Sequence, residues 1–173
     1  MKDVTVYGDF YRSLVLERAI MTNPSLEIRH ATQEEIAQIS ALVNAAYTKW
    51  IDVIGGKPMP MTADYPALIA QQRVYSVRDG LKLIAVLVIW QADDALYVDN
   101  LAVDPAHQGQ GVGSQLLTFA ERKAREMQLS KLTLCTNEKM TYNQAYYAKH
   151  GYFEIRRETA PNGRRAVWMQ KQL

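Results

Sequence analysis

The sequence predicts an α/β fold, one mixed sheet with helices on its faces. Three observations carry that expectation. Residues 95–103 alternate as a strand, stop at Asp104-Pro105, and pass through Gln108-Gly109-Gln110-Gly111-Val112-Gly113 into an amphipathic helix. Hairpin signals stand on either side of that unit, at Asp79-Gly80 and around Pro161-Asn162-Gly163. A further strand over 131–136 follows the helix, parallel to the first if the helix is a crossover.

Composition narrows the class. A chain of 173 residues suits one domain with a sizeable core. With 48% hydrophobic and 22% charged residues it is globular rather than disordered. The net charge is +2 and the Lys and Arg residues are scattered, which argues against a nucleic-acid partner. The apolar run over 83–90 is far short of the ~20 residues of a membrane span. The single cysteine, Cys135, is expected to be a buried core thiol in a reducing cytoplasm. His30, His107 and His150 are too dispersed to suggest a metal site.

In chain order, residues 1–24 read as an extension outside a domain over 25–173. A helix over 11–21 would end at Asn23-Pro24, with no apolar core of signal-peptide length. A strand covers 26–30. Thr32-Gln33-Glu34-Glu35 fits a capping box, and the next helix puts Ile36, Ile39, Leu42, Val43, Ala46 and Tyr47 on one face. Gly55-Gly56, Pro58 and Pro60 break the pattern over 50–65. That segment's Trp50, Met59, Met61 and Tyr65 either pack into the core or cover a substrate, the second being favoured. A short helix over 65–73 leads to hairpin strands over 74–78 and 81–90, then a turn over 91–94. In the strand over 95–103, simple alternation puts Tyr97, Asp99, Leu101 and Val103 on one face. Val112, Leu116, Leu117, Ala120, Ala124 and Met127 form the apolar face of the helix after it. A helix over 142–150 is closed by Gly151, and strands over 152–158 and 165–171 form the last hairpin.

Strand, glycine-rich turn and helix start, in that order, aim free backbone N–H groups and a helix dipole at one point. An anion such as pyrophosphate needs that arrangement. A P-loop is excluded because Ser114-Gln115 stands where Lys-Ser/Thr is required. A dinucleotide fingerprint needs glycine at Ser114 and a βαβ context, and antiparallel hairpins precede this turn. The remaining pattern, Gln/Arg-x-x-Gly-x-Gly/Ala at Gln108, Gly111 and Gly113, resembles the acyl-CoA loop of the GNAT superfamily of N-acetyltransferases. Two further segments extend the resemblance. Thr136 to Asn143 with Tyr147-Ala148-Lys149-His150-Gly151-Tyr152 is similar to the family's closing motif, and Arg165 to Lys171 to its last strand. The resemblance covers nearly all of 26–173.

It implies acetyl-CoA as co-substrate, in a sheet splayed at the cofactor. Backbone N–H groups of Gln108, Gly109, Gln110, Gly111, Val112, Gly113 and Ser114 would hold the pyrophosphate. The main chain of Leu101, Ala102 and Val103 would pair with the pantetheine arm, with Asn143 as a further contact. The family's usual Asn, seven residues before the Tyr, is Met140 here. Tyr147, four residues before Gly151, takes the place of the acid that protonates the departing thiolate. A helix should turn Tyr146 away from it, so that only one of the two faces the cleft. The family's frequent Glu is replaced by Tyr97. Asp99 is then the candidate base, directly or through water, or else the anchor of a cationic acceptor. Glu138 is the outside candidate, with helix capping as its alternative. The backbone N–H of Leu101 is the candidate donor to the oxyanion.

The resulting expectation is transfer of acetyl from acetyl-CoA to a primary amine of a small molecule or protein by direct attack. The alternative is an acyl-CoA-binding sensor without turnover. Asp52, Asp64 and Asp99 would favour a cationic acceptor, and the resemblance allows a homodimer. A chain shortened to start at Met21 is expected to fold cooperatively with an unchanged thermal midpoint. An unfolded product by circular dichroism would contradict the reading of 1–24 as an appendage.

Overall fold

The computed structural model describes residues 26–160 and 163–173. The extension over 1–24 and the Pro161-Asn162 part of the last turn lie outside them. Seven strands form one sheet: β1 (Glu27–His30), β2 (Val74–Asp79), β3 (Lys82–Ala92), β4 (Ala95–Val103), β5 (Lys131–Asn137), β6 (Phe153–Thr159) and β7 (Arg165–Gln172). Their order is β1-β2-β3-β4-β5-β7-β6, and every pairing is antiparallel except β4 with β5. The helices are α1 (Ile36–Tyr47), α2 (Ile51–Ile54), α3 (Tyr65–Ala70), α4 (Val112–Glu126) and α5 (Thr141–Lys149).

β3 is the centre of the core because both of its faces are covered. Its residues from Leu83 to Ile89 are all buried, which is why they read as a continuous apolar run and not as an alternation. On one face Leu116, Leu117, Ala120 and Ala124 of α4 gather with Ile84, Leu87, Leu96, Val98, Leu132 and Leu134. On the other, Ile39, Leu42 and Val43 of α1 and Ile69 of α3 gather with Val74, Val86, Val88 and Ala102. Met127 does not join the apolar face expected of it. α4 ends at Glu126 and Met127 lies exposed beyond it. The β2–β3 turn is Gly80-Leu81, one residue later than the Asp79-Gly80 signal, since Asp79 still pairs with Lys82.

Two irregularities of β4 shape everything near it. Val88 pairs with Asn100 but Ile89 pairs with Val98, so Asp99 is an extra residue with no partner on β3. Such a β-bulge reverses the alternation beyond it. Tyr97 and Asp99 therefore do not share a face with Leu101 and Val103, contrary to the simple alternation. Leu101 and Val103 pack with the α4 core, while Ala102 packs with the α1 core. β4 also pairs with β5 only at Leu96, Tyr97 and Val98. Beyond these, Cys135, Thr136 and Asn137 continue on β7 alone, and the two central strands part.

At the far edge a buried carboxylate ties the first helical turn to the sheet. Glu35 accepts from the Thr32 N–H at 3.0 Å, from Arg29 at 2.9 and 3.1 Å, and from Arg78 at 3.0 and 2.7 Å. Burial pushes the Glu35 carboxyl up, but the Thr32 N–H, Arg78 and Arg29 outweigh it, and its pKa lies below the ordinary 4.5. A depressed pKa adds stability that is complete above about pH 4.5 and is lost as pH falls through the folded value. Glu35→Gln is expected to cost on the order of 2 kcal/mol near neutral pH, moderated because Arg29 reaches water. Urea titrations at about pH 7 and about pH 3 should show the deficit shrinking at the lower pH.

Candidate active site

The parting of β4 from β5 leaves backbone groups without a strand partner. The Asp104 N–H donates to the Ile84 carbonyl at 2.9 Å, so that pair is hydrogen-bonded across β3 and β4. Bonded and non-bonded pairs alternate along an antiparallel ladder. Ala102 therefore bonds toward β3, while the N–H and C=O groups of Leu101 and Val103 point into the parting. The Val103 carbonyl is met there by the Gln108 side chain, Nε2 to O at 3.0 Å.

The glycine-rich turn closes one end of the same opening. Gly109 and Gly111 have φ of +77° and +83°, a left-handed conformation that a Cβ disfavours. The first intrahelical bond of the turn runs from the Gln115 N–H to the Gly111 carbonyl at 3.1 Å. Hence the N–H groups of Val112, Gly113 and Ser114 have no intrahelical acceptor. Gln108 and Gln110 spend their side chains on bracing. Gln108 accepts from Lys49 Nζ at 3.1 Å, and Gln110 donates to the Ala106 carbonyl at 2.9 Å. What the turn offers a ligand is main chain.

A cleft of about 290 Å³ results, lined by Leu101, Ala102, Val103, Gln108, Gly109, Gly111, Gly113, Ser114, Asn143 and Tyr147 among the expected residues. Asp99, Val112 and Gln110 do not line it; Asp99 stands at the bulge where β4 leaves β5, and Val112 is buried in the α4 core. Lys49, Trp50, His107, Tyr142 and Tyr146 line it as well. Trp50 is the residue of the irregular segment that meets the substrate side as expected, whereas Lys49 had no local signal, because it arrives through the turn that follows α1. Tyr146 does not turn away. Both tyrosine rings line the cleft, with centroids 5.6 Å apart.

The two tyrosines occupy different ends. Tyr146 lies against α4, where a Cβ on Gly113 would stand 2.6 Å from its hydroxyl. Its helix is locked to α4 by His150, whose Nδ1 is 2.8 Å from the Tyr146 carbonyl and whose Nε2 is 2.8 Å from Ser114 Oγ. A carbonyl only accepts, so Nδ1 carries the proton, and in the neutral ring Nε2 accepts from Ser114. Tyr147 faces the other end, toward Tyr47 and Tyr97, and burial raises its pKa above the ordinary phenol value.

On the α1 face, Asn100 is 2% exposed and fully engaged. It accepts from the Tyr47 hydroxyl at 2.7 Å and donates to Tyr65 Oη at 3.1 Å, which in turn donates to the Pro60 carbonyl at 3.0 Å. Tyr65 and Ile54 are buried, so this part of the irregular segment is core and not the lid favoured above; Met59 is exposed. Asp99 is half-buried beside this network, and among the described residues its carboxylate has no hydrogen bond or ion pair. Burial raises its pKa above the ordinary 3.8, and Arg73 opposes the rise. Tyr97 sits between Trp90 at 5.1 Å and Trp168 at 5.7 Å. Cys135 is half-buried on this side, not core, and burial pushes its thiol up to about 11. Glu138 is committed to Arg165 at 3.2 Å and Arg157 at 3.8 Å.

Gly113→Ala is expected to destabilise the fold by about 1–3 kcal/mol through overpacking against the Tyr146 hydroxyl. Tyr146→Phe in the same chain should recover most of that loss, since the atoms then nearest the new Cβ are at ordinary contact distances. Thermal unfolding of the two single variants and the double variant checks the coupling.

The acetyltransferase family model, described as Acetyltransferase (GNAT) family, matches residues 39–152. The chain is 26% identical over 145 residues to the aminoalkylphosphonate N-acetyltransferase of Salmonella typhimurium, covering 80% of this chain and 92% of that protein. Among solved structures it is similar to the PaiA N-acetyltransferase of Thermoplasma acidophilum in complex with coenzyme A. That likeness has a TM-score of 0.71 at 14% identity and covers 86% of this chain and 99% of the other. The ribosomal-protein-S18-alanine N-acetyltransferase of Escherichia coli is similar at a TM-score of 0.67 and 18% identity, over 85% and 93% of the two chains. With the match extending from α1 through α5 to Tyr152 and spanning the whole cleft, this chain belongs to the GNAT family of acetyltransferases.

Proposed function

We propose that this acetyl-CoA-dependent N-acetyltransferase moves the acetyl group by direct attack, with no covalent enzyme intermediate, onto a primary amine of a small molecule or protein. In this reading the amine is held at Asp99 and the thiolate leaves toward Tyr147. One observation carries the proposal. Among the described residues, a half-buried carboxylate without a hydrogen-bond or ion-pair partner and a half-buried tyrosine flank the same parting of the central strands.

The amine lone pair attacks the thioester carbon, and the carbonyl oxygen becomes anionic. The Leu101 N–H, which has no strand partner, donates to that oxygen. When the intermediate collapses the C–S bond breaks, and the Tyr147 hydroxyl gives its proton to the thiolate. Its raised pKa keeps it protonated until then. Asp99 takes the proton that the amine loses, directly or through water. The cofactor would lie along Leu101, Ala102 and Val103 with Asn143 beside it. Its pyrophosphate would rest on the main chain from Gln108 to Ser114. The acceptors named for the relatives, an aminoalkylphosphonate and an alanine of ribosomal protein S18, are consistent with either a small or a protein amine. Catalysis is assigned to 25–173, in a cytoplasmic monomer or homodimer.

Thiol release from acetyl-CoA against a panel of amines tests the reading. Tyr147→Phe and Asp99→Asn should each keep acetyl-CoA binding by calorimetry and lower kcat by on the order of 10²-fold or more. The wild-type rate should fall as pH drops through the Asp99 pKa, above 3.8, and Asp99→Asn should lose that limb. Tight acetyl-CoA binding without turnover of any amine would favour the sensor. No binding would remove the meaning given to the glycine-rich turn.

A further inference from the structure

Asp99 has a charged neighbour of the opposite sign that is also unspent. Arg73 precedes β2, and its carbonyl accepts from the Ile89 N–H at 2.9 Å, which fixes it beside the strand position facing the bulge. Its guanidinium lies over Trp90, 4.8 Å from the ring centre. Trp90 pairs with Tyr97 across β3 and β4, and Tyr97 stacks toward Trp168. Arg156 lies over Trp168 at 4.5 Å. A row of three half-exposed aromatic rings is therefore capped by an arginine at each end, on the face that carries Asp99.

The two ends differ. Arg156 is paired with Glu158 at 3.1 Å, and Glu158 also accepts from Trp168 Nε1 at 2.9 Å. That end is internally neutralised. Among the described residues, Arg73 has neither a hydrogen bond nor an ion pair for its side chain. Seated over the ring with no such partner, the guanidinium keeps its N–H donors for a carboxylate or phosphonate, which a guanidinium can take in bidentate fashion. Arg73 is close enough to Asp99 for its charge to hold down the carboxyl pKa, so one small molecule can reach both.

We propose that Arg73 is the anion-binding residue of the acceptor site, and that the acceptor is a short aminoalkyl acid. Its amine goes to Asp99 and its anionic group, a few bonds away, goes to the N–H donors of Arg73. This rests on the placement of the acceptor amine at Asp99 argued above. It replaces a purely cationic acceptor, which Arg73 would repel, with a zwitterionic one that satisfies both charges.

The test compares 2-aminoethylphosphonate and β-alanine with propylamine and putrescine, using wild type, Arg73→Gln and Arg73→Lys. Wild type should prefer the anionic acceptors in kcat/KM, and the better of the two identifies the anion as phosphonate or carboxylate. Arg73→Gln should raise KM for the preferred acid on the order of 10- to 100-fold, a loss at least tenfold larger than that for propylamine. Arg73→Lys should recover part of it. An equal loss on every amine would make Arg73 a packing residue and overturn the proposal, as would a wild-type preference for putrescine. Calorimetric titration of the two acids into wild type and Arg73→Gln separates this question from catalysis. If no amine is turned over but an acid binds wild type and not Arg73→Gln, the acetyl-transfer reading fails and the anion site stands. Absent or equal binding overturns the site.

Discussion

One extra residue in β4 decides what the centre of this molecule presents. Without the bulge at Asp99, the strand would alternate evenly and Asn100 would face α4. With it, Asp99 and Asn100 both stand on the α1 side. Asn100 is absorbed into the Tyr47 and Tyr65 hydrogen bonds, and Asp99 is left beside them with its carboxylate unspent. Leu101 and Val103 return to the α4 side, and their backbone groups point into the opening. Side-chain chemistry on one face of the strand and main-chain chemistry along its open edge are thus delivered within five residues.

The rest of the fold holds that strand in place. β3 is buried on both faces and registers β4 along nearly its whole length. α4 and α1 clamp the sheet from opposite sides. The single parallel pairing, β4 with β5, lasts for three residues before the strands separate. The Ser114 to His150 bond then ties the helix at one wall of the opening to the helix at the other. The cleft is wide where the sheet is weakest and bounded where the helices are joined.

Local chemistry made much of this legible from sequence. Gly109 and Gly111 were readable because glycine is favoured at their positive φ, and Asp104-Pro105 because proline ends a strand. The Thr32 to Glu35 pattern signalled a helix start, and Glu35 does reach back to the Thr32 N–H. Long-range geometry was not readable. No Gly or Pro marks the bulge at Asp99, so a period of two misplaced Leu101 and Val103. Tyr146 and Tyr147 were separated by helical phase, yet a cleft broad enough to meet both rings made that argument fail. His150 and Ser114 are 36 residues apart, and nothing local announces their contact.

An unpaired strand edge is ordinarily a liability, since its free N–H and C=O groups template the addition of another chain. Proteins blunt such edges at the rim of a sheet with charge, proline or a covering segment. Here the bare edge of β4 is internal. It lies between β3 and the departing β5, walled by Tyr146, Tyr147 and the glycine-rich turn. A foreign sheet edge cannot reach it, because β5, β7 and β6 still stand beyond it. A single narrow extended arm carrying its own amides can. The enzyme thus keeps open the kind of surface that drives aggregation while restricting what can add to it.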